Sequence, residues 1–471
     1  MARILITSIG KGMKDSQTEE RQYLEANYVS GLGESEGIKT PYIFEAISQM
    51  NNIDNLILIG TAGSDWNSLY FYLCDRYGVE FDVEFSSGLL KLWDEKIKYD
   101  KDIESIEFKQ MIGQMEKVLA SVRINNKRNF KNVKIIILKY GLEQSELNDN
   151  FALMQQIDTL VANGDEIIFD ITHSFRSLAF FELITVNYIK EVRGKKVSIK
   201  KVTYGMLEVS KETGGRIPIV NLKSLITTMD CMKAIEEFRR FGTTYTLCDV
   251  LEQMEESECG LSKEEQRALN MLNETISSND FAAFRKLVRT CKSIRCKQAE
   301  DSTNIGILSK EIYENIADYF GETVDDPYWL QIRLGKWHYD KKRYSAAATT
   351  MAEAIIGFCL SLYGIAKDKT AKGTYKADRD RMRKLLRDKG SAWRVIDLFN
   401  ELYDIRNELS HPVYQEELQE KIEKLGKVTI EIEQHYKRYF SKKAEDYAKN
   451  RKEFEEMLRE KWNREYPERK L

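Results

Sequence analysis

Short runs of apolar, β-branched residues alternate with longer amphipathic stretches over the first 225 residues. The runs are too short for buried helices, and most of them end in Gly, Thr, Ser or Asp. They predict strands at Ile4–Ile9, Leu56–Ile59, Val133–Leu138, Ile167–Phe169 and Val197–Val202. Near-continuous apolar strands that alternate with helices are typical of a parallel sheet covered on both faces. The first half is therefore predicted to be a Rossmann-like α/β domain.

The stretches between these strands predict the helices that cover the sheet. Asn148–Ala162 and Ser174–Glu191 are the clearest of them. Thr40-Pro41 has the composition of a helix start, with Thr40 as the N-cap and Pro41 at the first helical position.

Beyond about residue 225 the strand pattern ends and apolar positions recur three and four apart, which predicts helices. The strongest are Tyr344–Tyr363, Val395–His411 and Leu425–Phe440, and the charged segment 366–381 is predicted to be a polar loop. We therefore expect three segments: 1–225 as the α/β domain, 226–325 as a helical linker region, and 326–471 as an all-α domain.

Composition narrows the function classes. The chain has 471 residues, 42% of them hydrophobic, and a net charge of −3, so any RNA contact requires a local basic patch. The apolar start is too short for a signal peptide or a membrane span. Seven cysteines form no CxxC pair and four histidines are not spaced to complete a zinc site, which fits a reducing cytoplasm. We therefore expect a cytoplasmic protein that has no disulfide bonds, binds no metal ion or cofactor, and does not contact a membrane.

Three loops at the predicted strand ends carry candidate chemistry, because ligands of parallel sheets bind beyond the carboxyl ends of the strands. In Ser8-Ile9-Gly10-Lys11-Gly12, glycines allow close backbone approach while Ser8 and Lys11 offer phosphate contacts; a plain tight turn is equally consistent. In Gly60-Thr61-Ala62-Gly63-Ser64-Asp65-Trp66, Ser64 or Asp65 could cap the next helix, with or without contacting a ligand.

The third loop, Asp170-Ile171-Thr172-His173-Ser174-Phe175-Arg176-Ser177, concentrates polar side chains where a strand passes into a long helix. Backbone N–H groups and Arg176 would make a phosphate or nucleotide cradle there. The alternative is a capped turn with an incidental histidine.

These three loops, and the last one above all, resemble the CARF domains of CRISPR-associated CARF–HEPN proteins over about residues 1–225. The resemblance implies a homodimer that binds a cyclic oligoadenylate, more in keeping with tetra- than with hexa-adenylate, across its two-fold axis. It places the pocket at Ser8, Gly10, Lys11, Thr61, Ser64, Thr172, His173, Ser174 and Arg176.

Near the other end, Arg406-Asn407-Glu408-Leu409-Ser410-His411 closes a predicted helix, which Pro412 should end. Asn407 and His411 are four apart and share a face, whereas Arg406 and His411 lie ~140° apart on an ideal helix. A distorted helix end or a second subunit must bring those two together. In RNA cleavage through the 2′-hydroxyl, a histidine near neutral pKa can assist proton transfer and an arginine can offset the charge of the transition state.

The Arg–polar–x₃–His pattern in a helical domain resembles the signature of HEPN ribonucleases. That resemblance implies that Arg406, Asn407 and His411 are catalytic and cleave single-stranded RNA in a dimeric cleft, as in type III CRISPR accessory endoribonucleases. Assembly beyond a dimer stays open. One alternative is a non-enzymatic nucleotide sensor whose helical half recruits partners. A dinucleotide-dependent enzyme is disfavoured, since no GxGxxG turn follows the first strand.

Overall fold

The computed structural model describes two compact units, Met1–Ile226 and Thr227–Leu471. The described residues are 1–14, 21–31, 36–91, 106–124, 129–173, 181, 183–185, 187–194, 196–254, 259–296, 303–366, 371–387, 392–410, 418–441 and 447–471.

The first unit is built on one large sheet. Its strands, with those of a small hairpin, are β1 Arg3–Ser8, β2 Met13–Lys14, β3 Arg21–Gln22, β4 Ala26–Val29, β5 Ile38–Thr40, β6 Asn55–Thr61, β7 Asn132–Leu138, β8 Glu166–Asp170, β9 Ser198–Gly205 and β10 Arg216–Asn221. The large sheet has the order β5-β4-β10-β9-β8-β1-β6-β7, and β2 pairs with β3.

The five strands β9, β8, β1, β6 and β7 run parallel. Numbered one to five along the chain, these strands lie side by side in the order 5-4-1-2-3, which is the strand order of a Rossmann fold. The prediction of a Rossmann-like α/β domain is confirmed. The short strands β4, β5 and β10, which the apolar pattern did not predict, extend the sheet beyond β9; β10 is antiparallel to β9.

Both faces of the parallel sheet are buried because consecutive residues of its strands are apolar and point to opposite faces. In β1, Ile4 and Ile6 join one hydrophobic cluster and Leu5 joins the cluster of the opposite face. Helices of the first unit that pack around these clusters are α1 Ile43–Asn51, α2 Trp66–Tyr77, α3 Val83–Lys91, α4 Ile106–Ser121, α5 Gln144–Met154 and α6 Ile157–Leu160.

Two predictions for these helices need correction. The helix expected to start at Thr40-Pro41 begins at Ile43; Thr40 ends β5, and its hydroxyl donates to the buried Glu45 carboxylate at 2.7 Å. The helix expected at 148–162 begins earlier and is divided into α5 and α6. Of the helix expected over 174–191, residues 174–180 lie outside the described part, and Tyr188–Val192 is a π-helical turn.

The rest of the described chain is helical. Its helices are α7 Lys223–Phe241, α8 Tyr245–Glu252, α9 Lys263–Ser278, α10 Phe281–Cys296, α11 Asn304–Phe320, α12 Pro327–Asp340, α13 Tyr344–Ser361, α14 Lys372–Leu386, α15 Arg394–Ser410, α16 Leu418–Tyr439 and α17 Tyr447–Glu465. The prediction that helices follow the sheet is confirmed, while the segment limits at 225 and 325 stay predictions. In the described part, no helix is both long enough and apolar enough to cross a membrane.

The expectation of a polar loop at 366–381 is wrong, because α14 covers most of it. Its buried positions, Asp378, Met382, Leu385 and Leu386, lie on one face of the helix. Asp378 interrupts the apolar pattern, yet it is fully buried because Arg381 and Arg469 pair with its carboxylate at 3.1 Å and 3.0 Å.

Two hydrophobic clusters hold the helical unit together. The first is centred on Phe238, Phe284 and Phe320 and involves α7 to α12. The second surrounds α13, from Ala347 to Leu360, with α14 to α17 packed around it. The Ala-rich sequence of α13 allows neighbouring helices to approach it closely, so this helix is the centre of the carboxy-terminal bundle.

Candidate functional site

The loops after β1 and β8 meet where the strand order reverses. Ile6 of β1 is paired with Phe169 of β8, so the ends of the two strands, Ser8 and Asp170, lie side by side at the carboxyl edge of the sheet. A crevice for a ligand opens at such a switch point. The first and third sequence-predicted loops are thus neighbours.

Asp170 is the structural centre of this edge. Its carboxylate is fully buried and accepts hydrogen bonds from the hydroxyls of Thr7 (2.7 Å), Thr172 (2.6 Å) and Thr203 (3.3 Å). Burial raises the pKa of Asp170 to about 6, although the threonine hydrogen bonds oppose that rise. Thr172 also accepts the Gly205 amide at 2.8 Å. Thr172 therefore braces β8 against β9.

His173 follows in the same turn, at the carboxyl edge of the sheet. Its Nε2 atom is buried and has no hydrogen-bond partner among the described residues. Burial lowers the pKa of His173 to about 4, so the imidazole is neutral at physiological pH. An unpaired, neutral imidazole nitrogen beside a crevice can donate or accept one hydrogen bond to a ligand.

Tyr23, just after β3, completes the described edge of the pocket. Its hydroxyl accepts the Gly10 amide at 2.7 Å, and its ring lies edge-on to the His173 ring with centroids 5.0 Å apart. Sequence reasoning missed this residue because it lies in a segment with no extended apolar run. No feature of the sequence places it beside Gly10 and His173.

The second loop is built differently from the other two. Ser64 is buried; its hydroxyl donates to the Ile9 carbonyl at 2.7 Å and accepts the Thr61 amide at 2.9 Å. Thr61 is buried as well. The helix cap is Asp65, whose carboxylate accepts the Ser68 amide at 3.1 Å. Thr61 and Ser64 therefore hold the loop onto the Ser8–Gly12 turn and are themselves buried from solvent.

The remaining pocket candidates are Lys11, Ser174 and Arg176. The Lys11 ammonium lies 5.2 Å from the centre of the Tyr140 ring, a cation–π contact that holds the side chain at the end of β7. Ser174 and Arg176 lie outside the described residues.

The carboxy-terminal candidates Arg406 and Asn407 occupy the last turns of α15, both half-buried. An Arg406 Nη1–H donates to the Asn407 side-chain oxygen at 3.2 Å, and the guanidinium lies 5.5 Å from the centre of the Tyr403 ring. Arg387 contacts the same ring at 5.1 Å. Tyr403 and Asn407 thus limit the directions that Arg406 can take. His411 lies outside the described residues.

Three further polar residues of the helical unit have structural positions. His338 is fully buried in α12, and His435 lies against the rings of Tyr439 and Phe440. Glu353, on α13, is partly exposed and pairs with Arg379 at 3.3 Å. Among the described residues no group of three or more His, Cys, Asp or Glu side chains is placed to hold a metal ion.

Comparisons with known proteins bear on the first unit above all. Residues 4–208 match the family model of the CARF domain of the CRISPR system endoribonuclease Csx1. The CRISPR-associated protein MJ1674 of Methanocaldococcus jannaschii is 28% identical over 424 residues, which cover 87% of this chain and 62% of that protein. The chain thus spans about three-fifths of the length of this relative.

A solved structure shows a looser likeness. The structure of Enterococcus italicus Csm6 bound to cyclic hexa-2′-fluoro-hexa-dAMP aligns with 98% of this chain and 99% of its own, at a TM-score of 0.38 and 12% identity. A superposition that loose does not transfer residue roles. The Rossmann order of the sheet agrees with the match over residues 4–208, so the first unit is similar in sequence and fold to the CARF domain of Csx1.

Proposed function

We propose that this protein is a type III CRISPR accessory endoribonuclease that cleaves single-stranded RNA when a cyclic oligoadenylate binds its CARF domain. The observation that carries the proposal is the meeting of the Gly10 loop with the Asp170–His173 turn at the switch point of a sheet that matches the Csx1 CARF family. A switch-point crevice is where ligands of such sheets bind. The endoribonuclease activity in the name of the Csx1 family supports the proposal that the protein cleaves RNA.

The chemistry of the pocket suits a ring of phosphodiesters. Each phosphate is an anion, and we propose as its partners the Lys11 ammonium, the His173 imidazole and the Gly10 amide, which donates to the Tyr23 hydroxyl when no ligand is bound. Because His173 is neutral at pH 7, Lys11 is the cation of this described set and His173 contributes a hydrogen bond without charge. Ser8, Ser174 and Arg176 are the further contacts that the CARF resemblance implies. Cyclic tetra-adenylate is the expected ring, held between the facing pockets of a homodimer.

The catalytic proposal rests on Arg406, Asn407 and His411. The 2′-hydroxyl of the RNA attacks the adjacent phosphorus, and His411 accepts its proton as general base. Arg406 offsets the charge on the pentacoordinate phosphate, and the bond from phosphorus to the 5′-oxygen breaks. That oxygen takes a proton from water, which leaves a 5′-hydroxyl on one fragment and a 2′,3′-cyclic phosphate on the other. The substrate supplies its own nucleophile, so these residues need no metal ion. DNA, which lacks the 2′-hydroxyl, should not be cleaved.

The two functions must be coupled for the ring to act as an activator. A ligand shifts a conformational equilibrium only by its difference in affinity for the two states. The ring must therefore bind the cleavage-competent arrangement of the dimer more tightly than the resting one.

A cleavage assay tests both halves at once. Fluorescent single-stranded RNA is incubated in EDTA with the protein and with cyclic tri-, tetra-, penta- or hexa-adenylate. We expect one ring, the tetra-adenylate, to start cleavage, and the matching DNA to stay intact. If none of the cyclic oligoadenylates starts cleavage and none binds, the proposal that the protein senses a cyclic oligoadenylate is refuted.

Substitutions assign the catalytic residues. Arg406→Ala and His411→Ala should each lower the activated rate by at least about 100-fold while ring binding is retained, since a general base contributes about 10²–10⁴-fold. Arg394→Ala is the matched control on the same helix, because Arg394 pairs with Glu431 and Glu401 near the opposite end. Unchanged cleavage by His411→Ala would remove the catalytic assignment. Ring binding without any cleavage by the unmodified protein would favour the non-enzymatic sensor.

A further inference from the structure

The Tyr23 hydroxyl accepts a hydrogen bond from a backbone amide that an anionic ligand could use. The Gly10 N–H points at the Tyr23 hydroxyl, with 2.7 Å between nitrogen and oxygen. The turn is closely packed, because a Cβ added at Gly10 would lie 3.0 Å from the His173 carbonyl oxygen and 3.4 Å from the Tyr23 hydroxyl. Gly10, Tyr23 and His173 therefore form one contact group at the carboxyl edge of the sheet.

Packing holds the tyrosine in this position from two further sides. Its ring packs against the Tyr42 ring with centroids 4.8 Å apart and lies edge-on to the His173 ring at 5.0 Å. Tyr42 is itself buried and contacts the Tyr72 ring at 5.2 Å. The hydroxyl is thus placed on the Gly10 amide by the packing of the aromatic rings.

One N–H makes one good hydrogen bond, so the Gly10 amide serves either the tyrosine or a ligand oxygen. Burial raises the pKa of Tyr23 above its usual range, so the group stays a neutral phenol and a neutral acceptor. A hydrogen bond to an anionic oxygen is roughly twice as strong as one to a neutral acceptor. A phosphodiester oxygen can therefore displace the phenol, but part of its binding free energy is spent on the displacement.

We propose that Tyr23 is an autoinhibitory residue of the CARF pocket, whose hydroxyl holds the Gly10 amide until a phosphodiester oxygen of the activator replaces it. The inference rests on the proposed function for the identity of the ligand. Movement of the Tyr23 ring would also uncover the face of His173 that it now contacts. Tyr23 thereby sets the concentration of cyclic oligoadenylate at which the protein responds.

Tyr23→Phe tests the idea, because it keeps the ring on Tyr42 and His173 and removes only the acceptor oxygen. The dissociation constant for the activating cyclic oligoadenylate should fall by about two- to tenfold, the range that one neutral hydrogen bond represents. The cyclic oligoadenylate concentration for half-maximal cleavage should fall by the same factor. Tyr23→Met, which also lacks an acceptor oxygen, should tighten binding in the same direction.

Tyr70→Phe is the matched control. The Tyr70 hydroxyl also accepts a backbone amide, that of Asp82 at 2.8 Å, in the same unit but away from the Gly10 turn. Its loss should leave ring affinity unchanged. Weaker binding of the cyclic oligoadenylate by Tyr23→Phe would show that the hydroxyl contacts the ligand directly. Equal binding would show that the hydroxyl does not compete with the ligand. Either result overturns the inference about Tyr23 and leaves the proposed function in place. If the unmodified protein binds no ring, the proposed function itself fails.

Discussion

Three buried ionisable residues show how differently this chain compensates the burial of polar groups. The Asp170 carboxylate accepts hydrogen bonds from three threonine hydroxyls, and the Asp378 carboxylate forms ion pairs with Arg381 and Arg469. His338 has neither kind of partner: both ring nitrogens are buried and unpaired among the described residues. A buried group without partners is stable only in its neutral form, so the protonation of His338 should be linked to folding.

The stability of the helical unit should fall on acidification through His338. Burial, assisted by the nearby Arg343 charge, lowers the pKa of His338 to about 3, against about 6.5 in an unfolded chain. A depressed pKa contributes stability that is present above pH ~6.5 and is lost as the pH falls toward 3. At pH 4 the loss from this residue alone should approach about 3 kcal/mol.

Urea unfolding of the protein and of His338→Leu, followed between pH 4 and pH 8, measures this loss. Leucine fills a similar volume and breaks no described hydrogen bond, so the two proteins should be close in stability at pH 8. The variant should become relatively more stable as the pH falls. A difference that does not change with pH would contradict the prediction.

At the scale of elements, helices with an unbroken apolar face were predictable and those stabilised by buried charges were not. The prediction of a helix over 344–363 agrees with α13 to within two residues, because nearly every inward position there is Ala, Ile, Met, Phe or Leu. Helix α14 escaped prediction because a buried Asp378 stands where an apolar residue is expected. The strands β4 and β5 are too short for a two-residue alternation to be recognised.

Helix packing makes a specific prediction at Gly426, in α16. An added Cβ would overlap the hydroxyl of Tyr339 on α12, so Gly426 allows the close approach of these two helices. Gly426→Ala should lower the free energy of unfolding by about 1–2 kcal/mol, since overpacking outweighs the gain in helix propensity. Gly373→Ala, in the exposed first turn of α14, has nothing within 4 Å of the added Cβ and should be neutral or slightly stabilising. Equal effects of the two changes, measured by urea unfolding, would argue against close helix contact.

At the scale of the whole molecule, we propose that a second chain completes the catalytic cleft, rather than a distorted helix end within one chain. Arg406 and His411 lie ~140° apart on an ideal helix, and Arg406 is already engaged with Asn407 and Tyr403. A partner subunit that contributes the opposing group would complete the cleft.

Cleavage per chain should therefore depend on protein concentration. With saturating ring, the rate per chain should be constant above the dimer dissociation constant and should halve with each twofold dilution well below it. Initial rates over a dilution series, compared with the mass distribution of the same samples, check this. A constant rate per chain among monomers would place the active site within a single subunit.

The sequence by itself determined that a parallel α/β sheet precedes a helical region, because the repeat of apolar positions decides which local structure can bury its side chains. It also determined which residues stand at the strand ends. Only the tertiary structure decided that the loops after β1 and β8 are neighbours, that Thr61 and Ser64 are buried, and that Tyr23 lies on Gly10. Those facts depend on strand order and packing between distant segments, as in the bond from Thr7 to Asp170 across 163 residues. Local periodicity contains no information about such contacts.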